Sequence, residues 1–242
     1  FKLTDMGPIG TFLGMDFTED DDVLMASQQH YIEQLAEKFN VTSANTATHL
    51  PPVDTIDFSK DPIDESAPIR EIIGALLFIA TRTRPDIAAV TSYLSRYLDK
   101  PSARVFKYAK QVLNYLRHTK HRKLVLGNVT DSNLVAFADA NFAPVGDRKS
   151  QSGGVFQFAG STISWYSKKQ KTVSTSTTEA EYTALSIALK ETLWLQQLLS
   201  ELDVQVSYPT TIFEDNQPAI AIATNNKNPD LTKHLDIKLH AI

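Results

Sequence analysis

Residues 176–202 read STTEAEYTALSIALKETLWLQQLLSEL, and apolar side chains recur along them at the spacing of an amphipathic helix. Ser176-Thr177-Thr178-Glu179 is a capping box, which starts the helix near Ser176 and gives Glu179 a structural task there. At about 100° per residue, Glu179 shares a face with Lys190, Gln197 and Glu201. Glu181 falls on another face, with Leu185, Ala188 and Leu199, in the centre of the apolar stripe. An ionised carboxylate buried there is costly unless a cation or metal pairs with it. The helix dipole at the N-terminus offsets only ~0.3–1 kcal/mol of that cost. Glu181 is therefore the first candidate for chemistry in this chain.

Strand patterns flank the helix. LVAFADANF (134–142) comes before it, then GGVFQF (153–158) and STISWYS (161–167) joined by a turn at Ala159-Gly160. After it come TTIFED (210–215) and the short helix PAIAIAT (218–224). Strands, a helix and another strand in that order predict an α/β domain with a mixed sheet. The polar, turn-forming stretch GNVTDSN (127–133) is the best domain boundary. Upstream of it the pattern is α-rich. A hairpin, TFLGMDF and VLMAS around the turn TEDDD, leads into a helix QQHYIEQLAEKF with Ser27 as its N-cap and Asn40 at its end. A loop over 45–67 and three helical stretches, Ile69–Thr81, Asp86–Leu98 and Ser102–Thr119, complete this part.

Two further carboxylates join Glu181. Strand alternation puts Asp139 on the face of Val135 and Phe137, read as the core face. A lone aspartate there also fits a solvated position past the end of strand pairing. Asp215 ends TTIFED on the face of Thr211 and Phe213, immediately before the helix-start signature Asn216-Gln217-Pro218. Helix capping by Asp215 or Asn216 is one explanation, and a ligand position at a strand-to-helix junction is the other. Converging carboxylates without His or Cys partners are hard oxygen ligands, suited to Mg²⁺ or Mn²⁺. Two such ions can drive phosphodiester hydrolysis.

The 242 residues suffice for one large or two modest domains, and the formal net charge of −4 argues mildly against nucleic acid as a partner. Its distribution argues the other way. Every charged residue from Arg104 to Lys123 is basic: Arg104, Lys107, Lys110, Arg117, Lys120, Arg122 and Lys123. Lys168, Lys169 and Lys171 form a second cluster. Both suit a phosphate-tracking surface, and a solvated helix face explains the first as well. The chain has no cysteine, which excludes disulfides, thiolate zinc sites and a cysteine nucleophile and fits an intracellular setting. The longest apolar run, Ile72–Ala80, is far short of the ~20 residues that span a bilayer, and FKLTDMG carries no signal-peptide pattern.

These residues carry a resemblance. FADANFAPVGDRKSQSGGVFQFAGSTISWYSKKQKTVSTSTTEAEYTALSIALKETLWLQQLLSEL, IFEDNQPAIAIA and KHLDIKLH resemble the RNase H domain of copia-type retrotransposon Pol polyproteins. FLGMDF, REIIGALLFIATRTRPDI and SRYLDKPS…AKQVLNYLRHT resemble the end of the reverse transcriptase of the same polyproteins. The resemblance implies an RNase H-like mixed sheet flanked by helices over 127–242. An α-rich thumb and connection segment with a palm remnant would occupy 1–126. It also implies cleavage of the RNA strand of RNA/DNA hybrids with two divalent ions, Mg²⁺ or Mn²⁺, held by Asp139, Glu181 and Asp215. The chain departs from the family at Asn141, where an acidic residue is usual, and at Phe142, often Trp. The polymerase Asp-Asp motif is expected before Phe1 and a fourth metal carboxylate beyond Ile242, with Asp236 as a less fitting stand-in. Partners implied are the hybrid and the rest of the polyprotein. A catalytically inactive nucleic-acid-binding remnant is the alternative. A retroviral-type integrase core fits less well, because its carboxylates run Asp, Asp, Glu.

Overall fold

The computed structural model describes residues 7, 9–21, 23–42, 49–127, 131–143, 145 and 148–224. The chain divides into two compact units, 1–128 and 129–242. Each contains one four-stranded sheet, and six α-helices are present among the described residues. No helix among the described residues is long and apolar enough to cross a membrane.

The first unit opens with strands β1 (Thr11–Phe12), β2 (Met15–Asp20) and β3 (Val23–Ser27). TFLGMDF is thus not one strand. It breaks at Leu13-Gly14, whose φ angles of 50° and 73° make the consecutive left-handed pair of a tight hairpin turn. Helix α1 (Gln29–Lys38) follows, and its N-cap is Gln28, not Ser27, which belongs to β3. Gln28 makes no side-chain cap because its buried Oε1 accepts the Thr83 hydroxyl at 2.8 Å, tying the start of α1 to the end of α2. Asn40 ends α1 with φ 51°, a left-handed conformation that asparagine tolerates.

Helices α2 (Ile69–Arg82), α3 (Ala88–Ser95) and α4 (Ala103–His118) match the three helical stretches. The middle one is shorter than read, because Pro85–Ile87 forms a 3-10 turn before it. Ser102 caps α4 by accepting the Val105 N–H at 3.2 Å. Ile72, Ile73, Leu76 and Ile79 of α2 pack with Leu94 of α3 and Val112, Leu113 and Leu116 of α4 in one core. The unit closes with β4 (Leu124–Gly127), which pairs antiparallel with β3 and completes the order β1-β2-β3-β4. Sequence reasoning missed this strand. It is four residues long and its partner lies about a hundred positions away, so no local turn announces it.

In the second unit β5 (Asn133–Asn141), β6 (Gln151–Phe158) and β7 (Ser161–Lys169) form an antiparallel meander. Helix α5 (Thr177–Glu201) then crosses over, and β8 (Ser207–Phe213) returns parallel to β5, giving the order β7-β6-β5-β8. Helix α6 (Gln217–Thr224) ends the described part. The fold is mixed α/β. Its core corrects one reading. The buried face of β5 is Leu134, Ala136, Ala138 and Ala140, while Val135, Phe137 and Asp139 occupy the other face. The alanines are small because α5 lies close over them: Ala140 meets Ala180 and Ala184, and Ala136 and Ala138 cluster with Ala188, Leu195 and Phe156. Phe137, 41% exposed, stacks instead on Phe213 across β8 at 5.2 Å between ring centroids.

Candidate metal centre

Parallel pairing of β5 and β8 sets Phe137 opposite Phe213. Both chains continue two residues further, to Asp139 on β5 and to Asp215 just beyond the end of β8. Two residues restore the same face, so the two carboxylates emerge side by side. Asp215 therefore follows the strand instead of ending it. It is also not the helix cap. Asn216 takes that role, its Oδ1 accepting the Ala219 N–H at 2.9 Å, and Glu214 Oε1 accepts the Asn216 N–H at 3.1 Å.

Glu181 reaches the same place from the first turns of α5. Ser176 Oγ accepts the Glu179 N–H at 3.1 Å, and the Glu179 carboxylate turns back to the N–H (2.7 Å) and hydroxyl (2.9 Å) of Thr175. Glu179 is thus consumed by the cap, and Glu181 faces inward with only 5% of its surface exposed. One oxygen from each of Asp139, Glu181 and Asp215 lies within 4.8 Å of the other two. Asp139 and Asp215 are exposed and Glu181 is buried.

Burial pushes the Glu181 carboxyl up to about 7, and the negative charges of Glu214, Asp139 and Asp215 add to the shift. A hydrogen bond from the backbone N–H of Ala140 opposes it. Glu181 Oε2 is buried and has no hydrogen-bond partner. The same is true of Glu214 Oε2, whose carboxyl is also raised, first by burial and then by Asp215 and Asp139. Sequence reasoning did not single out Glu214. Alternation along TTIFED puts it on the face of Ile212, opposite Phe213, and that was the available signal.

An all-carboxylate set with an unpartnered buried oxygen fits a hard divalent cation. Oxygen donors suit Mg²⁺ or Mn²⁺, and such an ion would supply the missing partner of Glu181 and cancel the repulsion among the acids. Asp236 lies outside the described residues.

The basic side chains stand differently. Arg104 pairs with Asp61 at 2.7 Å, Lys120 with Glu33 at 2.6 Å and Arg122 with Asp86 at 3.4 Å. Lys123 donates to Thr18 Oγ1 at 3.1 Å, and Lys110 sits 5.8 Å over the Phe106 ring. Arg117 and Lys120 line an open cleft of about 650 Å³ with His30, Glu33 and Glu37, and Lys107 is exposed. Five of the seven basic side chains of this run thus have an internal partner, though exposed ion pairs are weak enough for a phosphate to compete. In the second unit Lys168 lies 5.0 Å over the Tyr166 ring, and Lys169 and Lys171 are exposed.

No protein-family model matches the chain, and no solved structure matches it significantly. Curated relatives do. The "Retrovirus-related Pol polyprotein from transposon TNT 1-94" of Nicotiana tabacum is 35% identical over 255 residues, covering 100% of this chain and 19% of the polyprotein. The "Retrovirus-related Pol polyprotein from transposon RE1" of Arabidopsis thaliana is 31% identical, covering 100% and 17%. A "Secreted RxLR effector protein 161" of Plasmopara viticola is 39% identical over 132 residues, covering 54% of this chain and 93% of that protein. The chain spans less than a fifth of the length of the two plant polyproteins, and both align along the whole of it. Along its whole length the chain is thus similar to a stretch of the retrovirus-related Pol polyproteins of plant transposons.

Proposed function

We propose that the second unit is an RNase H-like nuclease of a copia-type Pol polyprotein, hydrolysing the RNA strand of RNA/DNA hybrids with divalent cations. The first unit is then the C-terminal part of the reverse transcriptase, a palm remnant with thumb and connection, and the remainder of the polyprotein is its partner. The observation that carries the reading is Glu181, a buried carboxylate with an unpartnered oxygen held against Asp139 and Asp215. A stabilising role alone does not account for it, since three acids crowded without a cation repel one another.

Asp139, Glu181 and Asp215 would hold the ions, which when bound supply the Lewis acidity that activates a water and steadies the leaving 3′-oxygen. The chain's own part follows from exposure. Asp139 and Asp215 open to solvent, where a nucleic-acid backbone can approach, while packing fixes Glu181 behind them. Exposed Lys169 and Lys171 are suited to backbone phosphates. A surface of this kind reads A-form shape and 2′-hydroxyls, with little dependence on base sequence.

The test is cleavage of a labelled RNA/DNA hybrid by the full chain, with and without Mg²⁺ or Mn²⁺. We expect metal-dependent cleavage that Asp139→Asn reduces at least ~100-fold, the scale of several kcal/mol supplied by a bound ion. Hybrid binding without cleavage at any metal concentration overturns the nuclease reading in favour of an inactive nucleic-acid-binding remnant.

A further inference from the structure

We infer that Gln170 is the positioning residue that sets Glu181 in the metal centre. Gln170 follows β7 and is 2% exposed, and every hydrogen-bonding group of its amide side chain is engaged. Nε2 donates to Ser152 Oγ at 3.0 Å and to the Ala180 carbonyl at 2.9 Å, while Oε1 accepts the Ser174 hydroxyl at 2.9 Å. Its backbone N–H donates to the Ser150 carbonyl at 2.8 Å, which anchors it to the start of β6.

The partners explain the role. The Ala180 carbonyl is half of the peptide that joins Ala180 to Glu181, so Gln170 fixes the peptide plane directly before the Glu181 Cα. Ser152 is fully buried and lies opposite Ala140 in the β5–β6 register. Ala140 packs on Ala180 and its N–H donates to the Glu181 carboxylate. Gln170 therefore closes a frame, Ala140–Ser152–Gln170–Ala180, around one side of Glu181. Ser174 supports it by holding the amide with its NH₂ toward Ser152 and Ala180. Neither an apolar side chain nor a carboxylate can take this place, because two donors and one acceptor are needed together. Gln170 is no ligand. It acts on the ion through Glu181, as outer-shell residues of metal sites do.

This inference rests on the metal-centre reading, and the test separates the two. Mn²⁺ is titrated into the full chain, and binding is followed by loss of the free-ion electron paramagnetic resonance signal, well below the melting transition. The parent chain is expected to bind. Gln170→Leu, with an unchanged far-UV spectrum, is expected to bind ~10-fold more weakly, the low end of outer-shell effects on metal affinity. Hybrid cleavage should show the same shift in half-saturating Mg²⁺, with the rate at saturating metal changed less. A merely structural glutamine would lower the melting temperature and leave the affinity of the folded protein where it was. That result overturns the proposal. If Gln170→Leu does not fold, Ser174→Ala carries the test: weaker Mn²⁺ binding supports the frame and parental affinity overturns it. If the parent chain binds no Mn²⁺, the metal centre itself fails and this inference falls with it.

Discussion

The two units bury charge in opposite ways. In the first, the Arg84 side chain is 3% exposed and fully engaged. Its Nε and Nη2 grip both oxygens of Asp86 at 2.9 and 2.7 Å, and it also donates to the carbonyl and hydroxyl of Thr119. Tyr115 donates to Asp86 at 2.7 Å, and Arg122 completes the group. Burial raises the Asp86 carboxyl, but the hydrogen bonds from Arg84 and Tyr115 and the charges of Arg84 and Arg122 outweigh it, leaving Asp86 below the usual range. In the second unit Glu181 is buried among three other carboxylates and is pushed up to about 7. A neutralised network locks the Arg84-Pro85-Asp86 turn onto the end of α4 and is a fold device. An unneutralised one is a cost carried within the fold, and a bound cation is what removes it.

The largest effect expected from this contrast is at Arg84. Arg84→Ala removes a buried guanidinium together with its bonds to Asp86 and Thr119 and should destabilise the first unit by ~3 kcal/mol, the upper end for a single broken salt-bridge network. The second unit should be spared. Both tryptophans, Trp165 and Trp194, lie in the second unit, so tryptophan fluorescence reports that unit alone. Far-UV circular dichroism should show an early transition in Arg84→Ala that fluorescence does not follow. Equal stability of Arg84→Ala and the parent would mean that the network contributes little, and the contrast would be broken on its structural side.

Glu181→Gln should act in the opposite direction. In the presence of a chelator at pH 8 it removes a buried charge that nothing neutralises, and the second unit should gain ~1–3 kcal/mol. The sign follows from linkage. The folded value, about 7, lies above the ordinary 4.5. Between those values the folded chain keeps a proton that the unfolded chain has released, so stability falls as pH rises from about 4.5 to 7. Below that window Glu181 is neutral in both states, and Glu181→Gln should gain nothing at pH 4. Asp86 has the reverse slope: its lowered carboxyl contributes stability above the ordinary aspartate range and loses it as pH falls through the folded value. Fluorescence melts at pH 4 and pH 8 check the sign for Glu181. A loss of stability in Glu181→Gln at pH 8 would show that its charge is already compensated.

How far these sites could be read in advance depended on whether the signal was local. The helix of Glu181 was legible because a 3.6-residue period and a capping box both lie within the segment that forms it. The strands of the second unit were legible for the same reason, through their alternation and the Ala159-Gly160 turn. The inner face of β5 was misread because Val135 and Phe137 are larger than the alanines that alternate with them, whereas close approach of α5 selects those alanines for the buried side. β4 and the contact of Arg84 with Thr119 depend on pairings distant in sequence, which no window contains. Glu214 carries no signature of its own, since the strand-to-helix motif begins one residue later at Asp215.

The smallest expected effect sharpens the contrast within a single turn of α5. Glu179 and Glu181 are two residues apart, and only their phase around the helix separates a cap from a candidate ligand. Glu179→Ala removes the carboxylate that accepts from Thr175 but leaves Ser176 in place, so it should cost ~0.5–1 kcal/mol, the lower part of the capping range. The fluorescence melt of the second unit should register that loss at pH 8 with or without metal. Mn²⁺ affinity should not change, because the remaining Ser176 cap still holds the first turn and Glu181 keeps its inward face. Glu181→Gln should show the reverse pattern, a gain in stability without metal and a loss of Mn²⁺ binding. If Glu179→Ala weakened Mn²⁺ binding as much as Glu181→Gln does, the helical phase would not be what distinguishes them. The centre would then extend to the solvent side of α5.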